Sequence, residues 1–152
     1  DVLHLSGDIE GISPLEVQEL KNRFPGLKIM QAIPVLSGVP LEEQKIMQYI
    51  KEYEPVSDFF LIDTKAPMAG DIGATGLTHD REIDRVIVES TKVPCIIAGG
   101  LDADNVAEAI HVTHPYGVDS FSLTNYDDER ADTLHCKDPA KVKAFIEASQ
   151  NA

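Results

Sequence analysis

Asp58-Phe59-Phe60-Leu61-Ile62-Asp63 is a run of four large apolar residues closed at each end by a carboxylate. It is too short for a core helix and shows no apolar–polar alternation. That is how a strand reads when both faces of a parallel sheet are covered. Four more apolar runs lie around it, at 2–6, 27–33, 93–98 and 117–123. A segment of helical periodicity follows each of the five, at about 14–24, 40–53, 80–91, 104–113 and 139–149.

The helix starts carry recognisable signals. Ser13 and Glu16 have capping-box spacing, Pro14 takes the first helical position, and Ile12 with Val17 forms a hydrophobic staple. Pro40 opens the second helix, Asp104 caps the fourth, and Asp138 with Pro139 starts the last. The expected inward faces are Val17, Leu20 and Phe24; Ile46, Met47, Ile50 and Tyr53; Ile83, Val86 and Ile87; Val106, Ala109 and Ile110; and Val142, Phe145 and Ile146.

Strict β-α alternation implies a parallel sheet joined by right-handed crossovers. The repeat of about 30 residues matches the roughly 250 residues of a closed (β/α)8 TIM barrel divided over eight units. Residues 1–152 are thus expected to form a single domain, a partial barrel of five β/α units. A Rossmann-like open sheet of five strands has the same period and remains the alternative. The chain opens on Asp1 and enters a strand at once, which suggests a fragment of a longer protein.

The formal net charge of −13 argues against nucleic acid, since a phosphate-backbone binder needs a basic face. A small phosphorylated ligand is compatible with it, because helix-start amides hold one phosphate whatever the global charge. No apolar run approaches the roughly 20 residues of a membrane span, and no signal peptide opens the chain, so a cytoplasmic protein is expected. Cys95 and Cys136 are too few and too scattered for a disulfide framework or a zinc site. His4, His79, His111, His114 and His135 lack metal-ligand spacing, and no metal is expected.

In both candidate architectures ligands bind at the carboxyl ends of the strands. The central run ends in Asp63-Thr64-Lys65. A carboxyl group at the rim of an apolar strand suits general acid work, although it would equally cap the loop or pair with Lys65. Gly70, Gly73 and Gly76 in the 64–79 loop suggest an active-site lid or a plain surface loop. Ala98-Gly99-Gly100-Leu101 follows the fourth run, where paired glycines let backbone amides approach an anion or simply turn tightly. Lys65 could form a Schiff base; a solvated or salt-bridged lysine is the simpler reading.

Taken in order, Val2-Leu3-His4-Leu5-Ser6-Gly7-Asp8, the segment 60–65, Gly73-Ala74-Thr75-Gly76-Leu77-Thr78-His79-Asp80, the segment 98–106, Gly117-Val118-Asp119-Ser120 and Lys137-Asp138 resemble strands four to eight of the phosphoribosylanthranilate isomerases. The specificity lies in the ordered set. The resemblance implies an Amadori rearrangement in tryptophan biosynthesis, catalysed without metal or organic cofactor. A general acid opens the ribose ring to a Schiff base, and a general base then removes the C2 proton. It implies Asp63 as the acid, Gly99, Gly100 and Ser122 at the phosphate, and Asp119 near the anthranilate amine.

The chain also departs from the family pattern. The family's general base is a cysteine ending strand one, a strand outside this chain, and neither Cys95 nor Cys136 can stand in for it. Leu-His-Gly after strand four reads Leu5-Ser6-Gly7, losing a histidine. Ser-Ser-Gly-Val-Glu after strand eight reads Phe121-Ser122-Leu123-Thr124-Asn125, with leucine in place of the glycine that meets the phosphate. Phe-Asp-Trp reads His79-Asp80-Arg81.

Three readings follow: the isomerase, a non-catalytic or differently specific phosphosugar-binding barrel, and an interaction protein. In the last, an N-terminal barrel segment or a second chain completes the sheet at its two edges.

Overall fold

The computed structural model describes residues 1–65, 80–128 and 136–152. Five strands form one parallel sheet: β1 (Val2–Leu5), β2 (Lys28–Leu36), β3 (Phe59–Lys65), β4 (Cys95–Ile97) and β5 (Gly117–Val118), in the order β1-β2-β3-β4-β5. Between and after them run α1 (Pro14–Arg23), α2 (Ile46–Tyr53), α3 (Arg81–Ser90), α4 (Val106–Thr113) and α5 (Pro139–Gln150), with short 3-10 turns at Ile9–Gly11, Leu41–Glu43 and Ser122–Thr124.

Strand order decides between the two architectures. A doubly wound sheet reverses its order and carries helices on both faces. Here the order is sequential, and one core receives every described helix: Val17, Ile46, Ile50, Ile83, Ile87, Val106, Ala109 and Phe145 pack with Ile29, Ile33, Val35, Phe60, Ile62, Cys95 and Ile97. Right-handed crossovers that always step the same way leave every helix on one side, as on a barrel wall. The alternate residues therefore face the other side: His4, Met30, Ala32 and Pro34, then Phe59, Leu61 and Asp63, then Ile96.

Local chemistry sets the element boundaries. The Ser13–Glu16 capping box forms, Glu16 Oε2 accepting from the Ser13 N–H at 2.8 Å and Ser13 Oγ from the Glu16 N–H at 3.3 Å. Asp80 and Asp138 cap α3 and α5. α4 has Asn105 at its N-cap, not Asp104, and in the turn before it Asp102 Oδ1 accepts from the Asp104 and Asn105 amides at 2.9 and 3.2 Å. β2 continues three residues beyond 33, past Pro34, where β1 no longer runs alongside and a missing N–H is tolerated.

β5 is shorter than the 117–123 run. After the Asp119 amide bonds Ile97 O, Ser120 Oγ turns to Leu101 O, and Thr124 Oγ1 takes the Ser120 and Phe121 carbonyls. Hydroxyl side chains here compete with the ladder for backbone partners.

Three inward expectations also change. Phe24, Met47 and Ile146 are exposed. Met47 and Ile146 sit one residue, or about 100°, off the buried stripes carried by Ile46–Ile50–Tyr53 and Phe145, and Phe24 is the α1 C-cap, already off helical geometry.

Candidate active site

β3 delivers Asp63 to the carboxyl end of the sheet, half-buried, on the face opposite the helices. Asp63 Oδ1 accepts a hydrogen bond from the Thr64 amide at 2.7 Å. Thr64 points the other way and is fully buried. Gly99 lies directly against it: a β-carbon on Gly99 would stand 3.2 Å from Thr64 N and 2.1 Å from Thr64 Oγ1. Gly99 thus packs against the residue that follows Asp63. The sequence-predicted acid and the sequence-predicted cradle lie at the carboxyl ends of neighbouring strands.

The turn itself is left-handed, with φ of +81° at Gly99 and +65° at Gly100. Its carbonyls are all engaged. Arg81 Nη1 donates to Ala98 O at 3.0 Å and Nη2 to Gly99 O at 2.6 Å, Asn105 Nδ2 donates to Gly100 O at 2.9 Å, and Ser120 Oγ to Leu101 O at 2.6 Å. Among the described residues nothing accepts from the amides of Gly99, Gly100 or Leu101. With no side chain at Gly99 or Gly100, the backbone amides of this strand-to-helix turn can be approached closely by an anion.

Asp119, just past β5, is exposed at the same end of the sheet. Its charge is felt by two titratable groups. Desolvation lowers the His4 imidazole below its ordinary value while Asp119 pulls it back, and the same balance holds for the Lys137 ammonium, lowered by desolvation against Asp119.

Lys137 bonds the Phe121 carbonyl, donates to Thr124 Oγ1 at 3.2 Å, and lies over the Phe121 ring, 4.2 Å from its centroid. It thereby fixes the 3-10 turn that begins at Ser122, whose carbonyl takes the Asn125 amide at 3.1 Å. Ser122 is half-buried, and Leu123 next to it is 36% exposed.

Lys65 is half-buried at the end of β3, and its charge helps keep the Glu10 carboxyl low, behind the larger effects of the Lys45 and Tyr49 hydrogen bonds. His111 and His114 close α4, their rings 6.2 Å apart, with His114 as its left-handed cap. The candidate lid glycines Gly70, Gly73 and Gly76, with His79 and His135, lie outside the described residues. No group of three His, Cys, Asp or Glu among the described residues is arranged to hold a metal.

Sequence reading missed Arg81, Asn105, Ser120 and Lys137. Arg81 carried one signal, being with His79 one of the two departures from Phe-Asp-Trp.

Comparison with known proteins identifies the family. The family model for N-(5'phosphoribosyl)anthranilate (PRA) isomerase matches residues 15–148. N-(5'-phosphoribosyl)anthranilate isomerase 2 of Methanosarcina mazei is 36% identical over 132 residues, 87% of this chain and 53% of the relative. Among solved structures, the isomerase of Pyrococcus furiosus superposes with a TM-score of 0.64 at 31% identity, covering 92% of this chain and 58% of its own. That of Thermococcus kodakaraensis gives 0.70 at 26% identity, covering 99% and 64%.

The chain spans a little over half the length of the curated relatives it matches. Its sequential parallel sheet is that of their TIM barrels. The chain belongs to the N-(5'-phosphoribosyl)anthranilate isomerase family.

Proposed function

We propose that the protein carrying this chain is a cytoplasmic isomerase of N-(5'-phosphoribosyl)anthranilate in tryptophan biosynthesis, with Asp63 as general acid and Gly99, Gly100 and Ser122 at the phosphate. What supports the reading is that Asp63 lies toward the carboxyl end of β3 on the face opposite the helices, while Gly99, in the turn after the neighbouring strand β4, packs against Thr64 next to it.

Asp63 gives its proton to the ribose ring oxygen as the C1–O bond breaks and the anilino nitrogen forms a Schiff base. The Thr64 N–H then stabilises the carboxylate left behind. Asp119 faces the anthranilate amine, where its charge favours the developing iminium. A base outside this chain removes the C2 proton, and the enolamine becomes the ketose. Binding the remote phosphate holds the reacting end in register with Asp63.

The three preceding β/α units, or a second chain, complete the sheet. β1 and β5 stand at its edges, and Val2, Leu3 and Phe24 expose apolar surface beside β1. The 152-residue chain alone is therefore expected to self-associate, and a stable monomer by light scattering would contradict this completion.

A second reading, a phosphosugar-binding barrel without this chemistry, draws on Leu123 and Ser6, which depart from the family pattern around the mouth. Asp63→Asn in the full-length protein separates the two. The isomerase reading expects turnover to fall by about 10²-fold or more, the scale of losing a general acid, with substrate binding retained. Unchanged turnover would remove Asp63 from the mechanism, and a wild-type protein that binds substrate without turning it over would favour the second reading.

A further inference from the structure

Arg81 begins α3 where the family pattern has tryptophan. Its guanidinium makes three short contacts. Nη1 pairs with Asp84 Oδ2 at 2.9 Å and donates to Ala98 O at 3.0 Å, and Nη2 donates to Gly99 O at 2.6 Å. Asp84 is fully buried, and a carboxylate there has to be paired. One planar fork thus holds a buried anion and two successive carbonyls. An ammonium group, a point charge on a flexible stem, does not reproduce that geometry.

The peptide plane turns this grip into a statement about amides. In a trans peptide the C=O of one residue and the N–H of the next point in opposite directions. Drawing the Ala98 oxygen to the guanidinium therefore sends the Gly99 N–H away from it, and drawing in the Gly99 oxygen does the same to the Gly100 N–H. Asn105, holding Gly100 O at 2.9 Å, sets the Leu101 N–H in the same way. Left-handed φ at both glycines is what lets consecutive peptides adopt this arrangement.

We propose that Arg81, seated on Asp84, is the positioning residue of the anion cradle: it orients the Gly99 and Gly100 amides toward the mouth before ligand arrives. The inference rests on reading the glycine turn as the phosphate site. Preorganised amides bind an anion without first paying to reorient, so a looser turn should lose affinity.

The test is titration of the 15N-labelled full-length protein with inorganic phosphate, followed through the Gly99 and Gly100 amide resonances. Wild-type protein should show saturable shifts at both. Arg81→Lys keeps a cation for Asp84 but loses the fork, and should weaken phosphate binding about tenfold while resonances of Ile29 and Ile33 in the core stay in place. Should that variant fail to fold, R81Q/D84N removes both charges together and should show the same loss.

A folded variant that binds phosphate at these amides with wild-type affinity would overturn the role of Arg81. If wild-type protein shows no shift at Gly99 or Gly100, the phosphate site itself falls, and the positioning role with it.

Discussion

Gly99 lies against Thr64 so closely that a β-carbon would meet Thr64 Oγ1 at 2.1 Å, Cβ at 3.1 Å and N at 3.2 Å. Neither side can yield easily, because Thr64 is fully buried and Gly99 is left-handed at φ +81°.

Gly99→Ala is therefore expected to destabilise the fold by about 3 kcal/mol, combining left-handed strain of roughly 1–2 kcal/mol with overpacking of similar size. Thr64→Ala in the same chain removes Oγ1 and should recover part of that loss, leaving the backbone strain. Urea unfolding of both single variants and the double variant gives the coupling energy. Strict additivity would mean that the contact is not the cause.

Asp58 ties the start of the sheet to α1. Burial raises its carboxyl pKa, but the Lys21 ammonium at 2.8 Å, the Ile29 N–H at 2.8 Å and the Lys28 charge outweigh it and leave the value below the ordinary one. A carboxyl depressed on folding adds stability above its unfolded pKa and loses it as pH falls through the lower, folded value. Asp58→Asn should thus be about 1 kcal/mol less stable than wild type at pH 7. The gap should close as acid is added below the ordinary carboxylate range. A gap independent of pH, in denaturant midpoints taken from pH 7 downward, would assign the loss to something other than charge.

Cys95 faces the helices, not the mouth, and burial pushes its thiol up to about 12, with Asp84 adding to the shift. At pH 8 its thiolate is a minute fraction, so in the chain's native state an aromatic disulfide reagent should leave Cys95 unmodified until denaturant is added. Rapid native-state modification of Cys95 would contradict its place in the core.

Most of the fold was legible because burial imposes period. Runs such as Phe59–Ile62 and stripes such as Ile46–Ile50–Tyr53 have few other readings. The length of β5 was not, since Ser120 and Thr124 bond carbonyls that the sequence does not single out. The same reason hid the support of the site. Asp63 and Gly99 are candidates by residue type at a strand end, whereas Arg81, Asn105 and Lys137 act on backbone carbonyls, which every residue carries. Only folding says which oxygen lies within reach.

The most direct test of the Asp63–Gly99 site is a crystal structure of the full-length protein with a reduced, non-reacting analogue of the ketose product. The phosphate should rest on the Gly99 and Gly100 amides, with the Asp63 carboxyl within about 3 Å of the oxygen derived from the ribose ring. A phosphate bound elsewhere, or Asp63 turned away from that oxygen, would contradict the assignment.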